Sequence, residues 1–151
     1  MKYPSLHVAS HIANICHNDG IEFNNTKIQK LMYCCYGCVL AVYNSARICD
    51  EYPRAWTYGP VFPRVFSYIN KKKDILVIGN LNAPDDILKL LTDVVAAFGK
   101  YTANSLSAWT HKKGSPWDIV VNDMDAPNSI IPDDLILEYF KQNVVVMDKN
   151  A

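Results

Sequence analysis

Residues 31–43 read "LMYCCYGCVLAVY", 13 positions without a charge. The run is shorter than the roughly 20 apolar residues that cross a bilayer, so it predicts a buried helix and no membrane association. Ile28, Leu31, Met32, Cys35, Val39 and Val42 recur at the 3.6-residue period, and Asn24, Asn25 and Thr26 precede them as N-cap candidates. Beyond Lys30 the helix is apolar nearly all round. A helix of that kind lies inside a domain, with the other elements wrapped around it.

The rest of the chain supplies those elements. Val8, Ile12 and Ile15, widened by Ala9, Ala13 and Cys16, predict a helix over 4–18 that Asp19-Gly20 ends. Residues 54–58 read as a short extended piece and Gly59-Pro60 as a turn; Phe62, Val65, Phe66 and Ile69 then line a third helix, closed by three lysines at 71–73. The β-branched "ILVI" at 75–78 predicts a strand. "APDDILKLL" and "IPDDLILEYF" each start a helix with a Pro and two Asp, which suits the positive end of the helix dipole. The first should bury Ile87, Leu90, Leu91, Val94 and Phe98, the second Leu135, Ile136, Tyr139 and Phe140. Between them a helix over 102–113 turns Leu106 and Trp109 inward and stops at Gly114, Ser115 and Pro116 restart the chain, and "VNDMDAPNS" is a polar loop. Residues 144–151 are expected as a C-terminal tail. The fold class is therefore mainly α: one compact domain over 1–151, with six to seven helices and at most a minor β element.

Lys plus Arg and Asp plus Glu number 15 each, so the formal net charge is zero. No general field attracts nucleic acid or an anionic membrane, and no basic recognition helix is present. The first 20 residues contain no apolar signal core, and five cysteines, at 16, 34, 35, 38 and 49, are an odd set that suits reduced thiols. A cytoplasmic location is the expectation.

His7 and His11 stand four apart, a spacing that can share a metal, but His7, His11, Asn14 and Asn18 also form one continuous polar face, read as solvated. No third ligand follows, so no metal is expected. Cys34, Cys35 and Cys38 lie on or beside the apolar stripe, where a thiol packs as a small hydrophobe. His111 in "AWTHKKGSPW" is a candidate catalytic base only if Cys49, read as lying in a loop, or Asp118 is beside it; the plainer role is a hydrogen bond across the interhelical turn. The common nucleotide-binding, hydrolase and metalloprotease motifs are absent from the sequence, and no cofactor is expected.

Three stretches nevertheless make a pattern: "TKIQKLMYCCYG" at 26–37, "AWTYGPVFPRVF" at 55–66 and "LSAWTHKKGSPW" at 106–117. Together they resemble the Panacea antitoxin domain, also described as the SocA-like or phage-associated GepA-like family. The resemblance implies a small, mostly helical cytosolic protein that neutralises a protein toxin, usually encoded by an adjacent gene, by direct binding. Delivery of the bound toxin to a protease is a further role proposed within that family. It also implies that Gln29, Lys30, Leu31, Tyr33, Gly59 and Pro60 are motif residues with structural roles.

Tight neutralisation needs about −12 kcal/mol and roughly 1,600 Å² of interface, centred on Trp, Tyr and Arg. Arg54, Trp56, Tyr58, Arg64 and Tyr68 are therefore the candidate partner-binding residues, with His111 and Trp117 close by. A large aromatic is more often buried than displayed, which puts Trp56 in the core unless it is an anchor. An enzyme using His111 with Cys49 or Asp118 is the competing reading.

Overall fold

The computed structural model describes residues 2–145. Its centre is α2 (Asn25–Val42), in which every residue from Lys27 to Leu40 is buried. The Asn24 side chain accepts from the Lys27 N–H at 2.8 Å and starts the helix. Around α2 lie α1 (Ser5–Asn18), α3 (Pro63–Asn70), α4 (Asp85–Phe98), α5 (Ala103–Thr110) and α7 (Asp133–Asn143). A single turn, α6 (Pro116–Asp118), leads into a π-helical turn over Ile119–Asp123. The mainly α class with seven helices is thus the observed one among the described residues.

Gly37 lets two helices approach closely. A Cβ there would fall 2.4 Å from the ring of Phe140, so the absence of a side chain lets α7 lie against α2. Phe140 and Trp109 then stack with Tyr33 into an aromatic cluster, with centroids 5.4 Å apart for Tyr33 and Phe140 and 6.0 Å for Trp109 and Phe140. Lys27, although buried, donates its ammonium to the Gly99 carbonyl at 2.8 Å and to the Tyr101 carbonyl, closing the C-terminal end of α4.

The only sheet among the described residues is a hairpin of β1 (Arg54–Trp56) and β2 (Gly59–Val61), with Trp56 opposite Gly59 and Arg54 opposite Val61. Neither Thr57 nor Tyr58 has positive φ; the left-handed backbone that closes the turn falls on Gly59, at φ +114°. The outer side of β1 is paired by the loop before α7. Ala55 N–H donates to the Ser129 carbonyl at 2.9 Å, Asn128 N–H to the Ala55 carbonyl at 2.8 Å and Ile131 N–H to the Pro53 carbonyl at 2.9 Å.

Five expectations are corrected. The turn falls on Thr57-Tyr58, and Gly59-Pro60, expected as the turn, belong to β2 opposite Trp56 and Ala55. "ILVI" forms a 3-10 turn over Ile75–Val77, because Asp74 accepts from the Leu76 N–H at 2.9 Å and no neighbouring strand offers a ladder. That turn packs on α1 and covers part of the supposedly solvated face: Asn14 is half-buried and donates to the Leu76 carbonyl at 3.1 Å, and His11 is half-buried with its Nε2 buried and unpaired. Cys49 is fully buried, because its segment pairs with Tyr3 instead of looping into solvent. The start of "VNDMDAPNS" is helical, continuing from α6 as the π turn. Of the expected tail, Val144 and Val145 return their N–H groups to the Phe140 carbonyl at 3.0 and 2.7 Å; 146–151 lie outside the described residues.

Candidate partner-binding site

The hairpin is gripped by side chains from three other parts of the chain, and each grip is on the main chain. From α2, Gln29 Oε1 accepts from the Phe62 N–H at 2.7 Å, and the Lys30 ammonium donates to the Pro60 carbonyl at 3.1 Å. These two side chains cover the outer edge of β2 much as another strand would. At the end of α5, His111 Nε2 is 3.0 Å from the Thr57 carbonyl, and its Nδ1 meets the Ser107 carbonyl one turn back. From α6, the Trp117 indole N–H donates to the Trp56 carbonyl at 2.7 Å, and the His111 and Trp117 rings meet at a 52° tilt with centroids 3.9 Å apart.

Gly59 completes the fit. A Cβ there would lie 2.8 Å from Thr110 Oγ1 and 2.9 Å from Lys30 Cε, so the hairpin can rest on those two side chains only with hydrogen at this position. Lys30 is 1% exposed, and burial pushes its ammonium down to about 8. Gln29 is equally buried and bonded at both ends of its amide, the nitrogen donating to Asn25 Oδ1 at 3.0 Å. Gln29→Leu strands the buried Phe62 N–H and should cost about 1–3 kcal/mol, read as a lower urea midpoint with unchanged slope.

The candidate anchors divide. Tyr58, at the tip, is 76% exposed. Arg54 is exposed on β1 and donates to the Asn128 carbonyl at 3.2 Å. Trp56 is half-buried, neither core nor free: its ring meets Phe66 edge-on at 5.2 Å. Arg64 and Tyr68 are engaged elsewhere on α3. Arg64 pairs with Asp50 at 2.7 Å and donates to Ser5 Oγ at 3.2 Å, and the Tyr68 hydroxyl donates to the Asp74 carbonyl at 3.2 Å. Leu31 and Tyr33 are core residues of α2.

The side chains of the competing enzymatic reading are not arranged as a catalytic pair. Both His111 ring nitrogens face main-chain carbonyls. Burial pushes the Cys49 thiol up to about 12. Asp118 accepts from the Gly114 N–H at 2.8 Å and the Asn122 amide at 2.7 Å, bonds that hold its carboxyl below the usual range. Among the described residues, no group of three or more His, Cys, Asp or Glu is placed to hold a metal ion, and no helix is long and apolar enough to cross a membrane.

The stretches that define the hairpin grip are also where the chain matches known proteins. The profile of the family described as "Antitoxin SocA-like, Panacea domain" matches residues 28–118, which include Gln29, Lys30, the hairpin, His111 and Trp117. The chain belongs to the SocA-like Panacea family. A curated relative, "Antitoxin SocA" of Caulobacter vibrioides (strain NA1000 / CB15N), is 33% identical over 117 residues, 68% of this chain. The match spans 62% of that relative's length. No solved structure matches. In this Panacea domain the motif residues hold the hairpin, which accounts physically for three stretches far apart in sequence. The pairing of 128–131 with β1 lies beyond the family match and was not anticipated; the β-branched pair Ile130-Ile131, just before Pro132, was its only local sign.

Proposed function

We propose that this chain is an antitoxin that neutralises a protein toxin, the product of an adjacent gene, by direct contact through the hairpin tip. Family membership supports the class of function. The observation that carries the site is Tyr58, an aromatic side chain 76% exposed on a turn whose flanking carbonyls are held by His111 and Trp117. A large side chain on a fixed platform loses little freedom on docking, which is what an interface anchor requires. Arg54 supplies a neighbouring cation on the same hairpin.

Co-expression with the adjacent gene product should restore growth, and the two proteins should co-purify. Tyr58→Ala should weaken that complex by at least about 30-fold, roughly 2 kcal/mol, with the melting temperature unchanged because the side chain packs on little. Unchanged affinity in that variant would move the interface off the hairpin. Failure of the wild-type chain to bind or rescue any neighbour-encoded protein would remove the antitoxin reading.

A further inference from the structure

Beside the hairpin lies a cavity of about 330 Å³, whose wall includes Gln29, Lys30, Trp56, Tyr58, Val61 and Phe66. Trp56, Tyr58, Val61 and Phe66 form an aromatic and aliphatic part of this wall, Thr26, Gln29, Thr57 and Asn128 a neutral polar part, and Lys30 is its one charged residue. Its ammonium carries three N–H donors, of which one has a partner, the Pro60 carbonyl. Among the described residues no carboxylate lies within 4.0 Å of it. Buried Lys27, one turn earlier, is different: it sits between two carbonyls and closes a helix end. Lys30 is therefore a buried cation at a cavity wall with bonding capacity to spare, an arrangement that an incoming anion relieves.

The wall also limits what that anion is. A single cation matches a single negative charge, and no second cation or Gly-rich loop is present to take a phosphate dianion. The part formed by Trp56, Tyr58, Val61 and Phe66 suits an apolar body of side-chain size.

We propose that this cavity is a receptor for a monocarboxylate on an aromatic or aliphatic body, with the carboxylate on the Lys30 ammonium and the body against Trp56 and Phe66. The carboxylate has two possible sources, an acidic side chain of the protein partner or a free small carboxylic acid, and only the first rests on the antitoxin reading. The shared chemistry is tested without a partner. In a proton–nitrogen NMR titration of the full chain, phenylacetate should shift the Trp56 indole and Gly59 amide signals and bind at least tenfold more tightly than its neutral isostere phenylacetamide. Lys30→Gln, which keeps a donor for the Pro60 carbonyl, should abolish that preference. Equal binding of the two probes, binding of neither, or a preference that survives in Lys30→Gln would overturn the proposal.

The source is read from the purified complex. Exclusion of phenylacetate there assigns the cavity to the partner's side chain, and undiminished binding assigns it to a free acid. A chain that selects phenylacetate yet neutralises no toxin keeps the receptor and loses only the antitoxin reading.

Discussion

Raising the pH from 9 to 11 under reducing conditions is expected to unfold the protein in a single steep transition. All five cysteines are buried and unpaired. Burial lifts the Cys16 thiol from 9.0 to about 11, Cys38 and Cys49 to about 12, and Cys34 and Cys35 well beyond the ordinary value. In the unfolded chain these thiols ionise near 9, whereas in the folded chain they stay protonated. The folded state then holds more protons than the unfolded state, so the stability present below pH 9 is lost as the pH rises toward the folded values.

Each thiol costs at most about 1.4 kcal/mol per pH unit between its unfolded and folded values, and the five together at most about 7 kcal/mol per unit. A domain with stability near the middle of the usual range of about 5–15 kcal/mol does not survive two such units. Lys30 acts in the opposite direction. Its folded value near 8 lies below the ordinary 10.5, so the unfolded chain keeps the proton longer and rising pH stabilises the fold. One such group contributes at most about 1.4 kcal/mol per unit and is outweighed. Far-ultraviolet circular dichroism against pH, with thiol titration in parallel, reads the transition, and Cys38→Ala should move its midpoint upward. A helical signal unchanged up to pH 11.5 would contradict this account.

Gly59→Ala is expected to be among the most damaging single changes in the hairpin. At φ +114° an L-residue is strained, by about 1–3 kcal/mol. The new methyl would also press on Thr110 Oγ1 and Lys30 Cε at 2.8 and 2.9 Å, adding about 1–3 kcal/mol of overpacking. A total near 4 kcal/mol lowers the melting temperature by about 8–16 °C in a domain of this size. Gly20→Ala is the control: φ is +70° there, and nothing lies within 4 Å of the added Cβ. That change should cost about 1 kcal/mol, from backbone strain alone. Equal losses in the two variants would mean that the contact with Lys30 and Thr110 does not matter.

The helices were largely legible because their signals are local. The all-apolar face of α2, the Pro-Asp-Asp starts of α4 and α7 and the Ser115-Pro116 restart each act within a turn or two of the chain. The misses were decided at a distance. "ILVI" carries the same β-branched signal as a strand, but a ladder needs a neighbour, and Asp74 offered a turn instead. Asn14 looks solvated until that turn covers it, and the His11 Nε2 is buried as well. For the site, the residue types of the motifs were visible, but their acceptors were not. The carbonyls of Trp56, Thr57 and Pro60 exist at every residue and leave no mark in the sequence.

That choice of acceptors has a consequence for how such a surface can change over time. The fittings that fix the turn take hold of atoms common to all amino acids, so they do not depend on which side chains occupy positions 57 and 58. Substitution at the tip can therefore alter what is presented without disturbing what presents it. On the proposed hairpin interface, the domain would resemble a socket with an interchangeable bit, its frame retained while positions 57 and 58 vary.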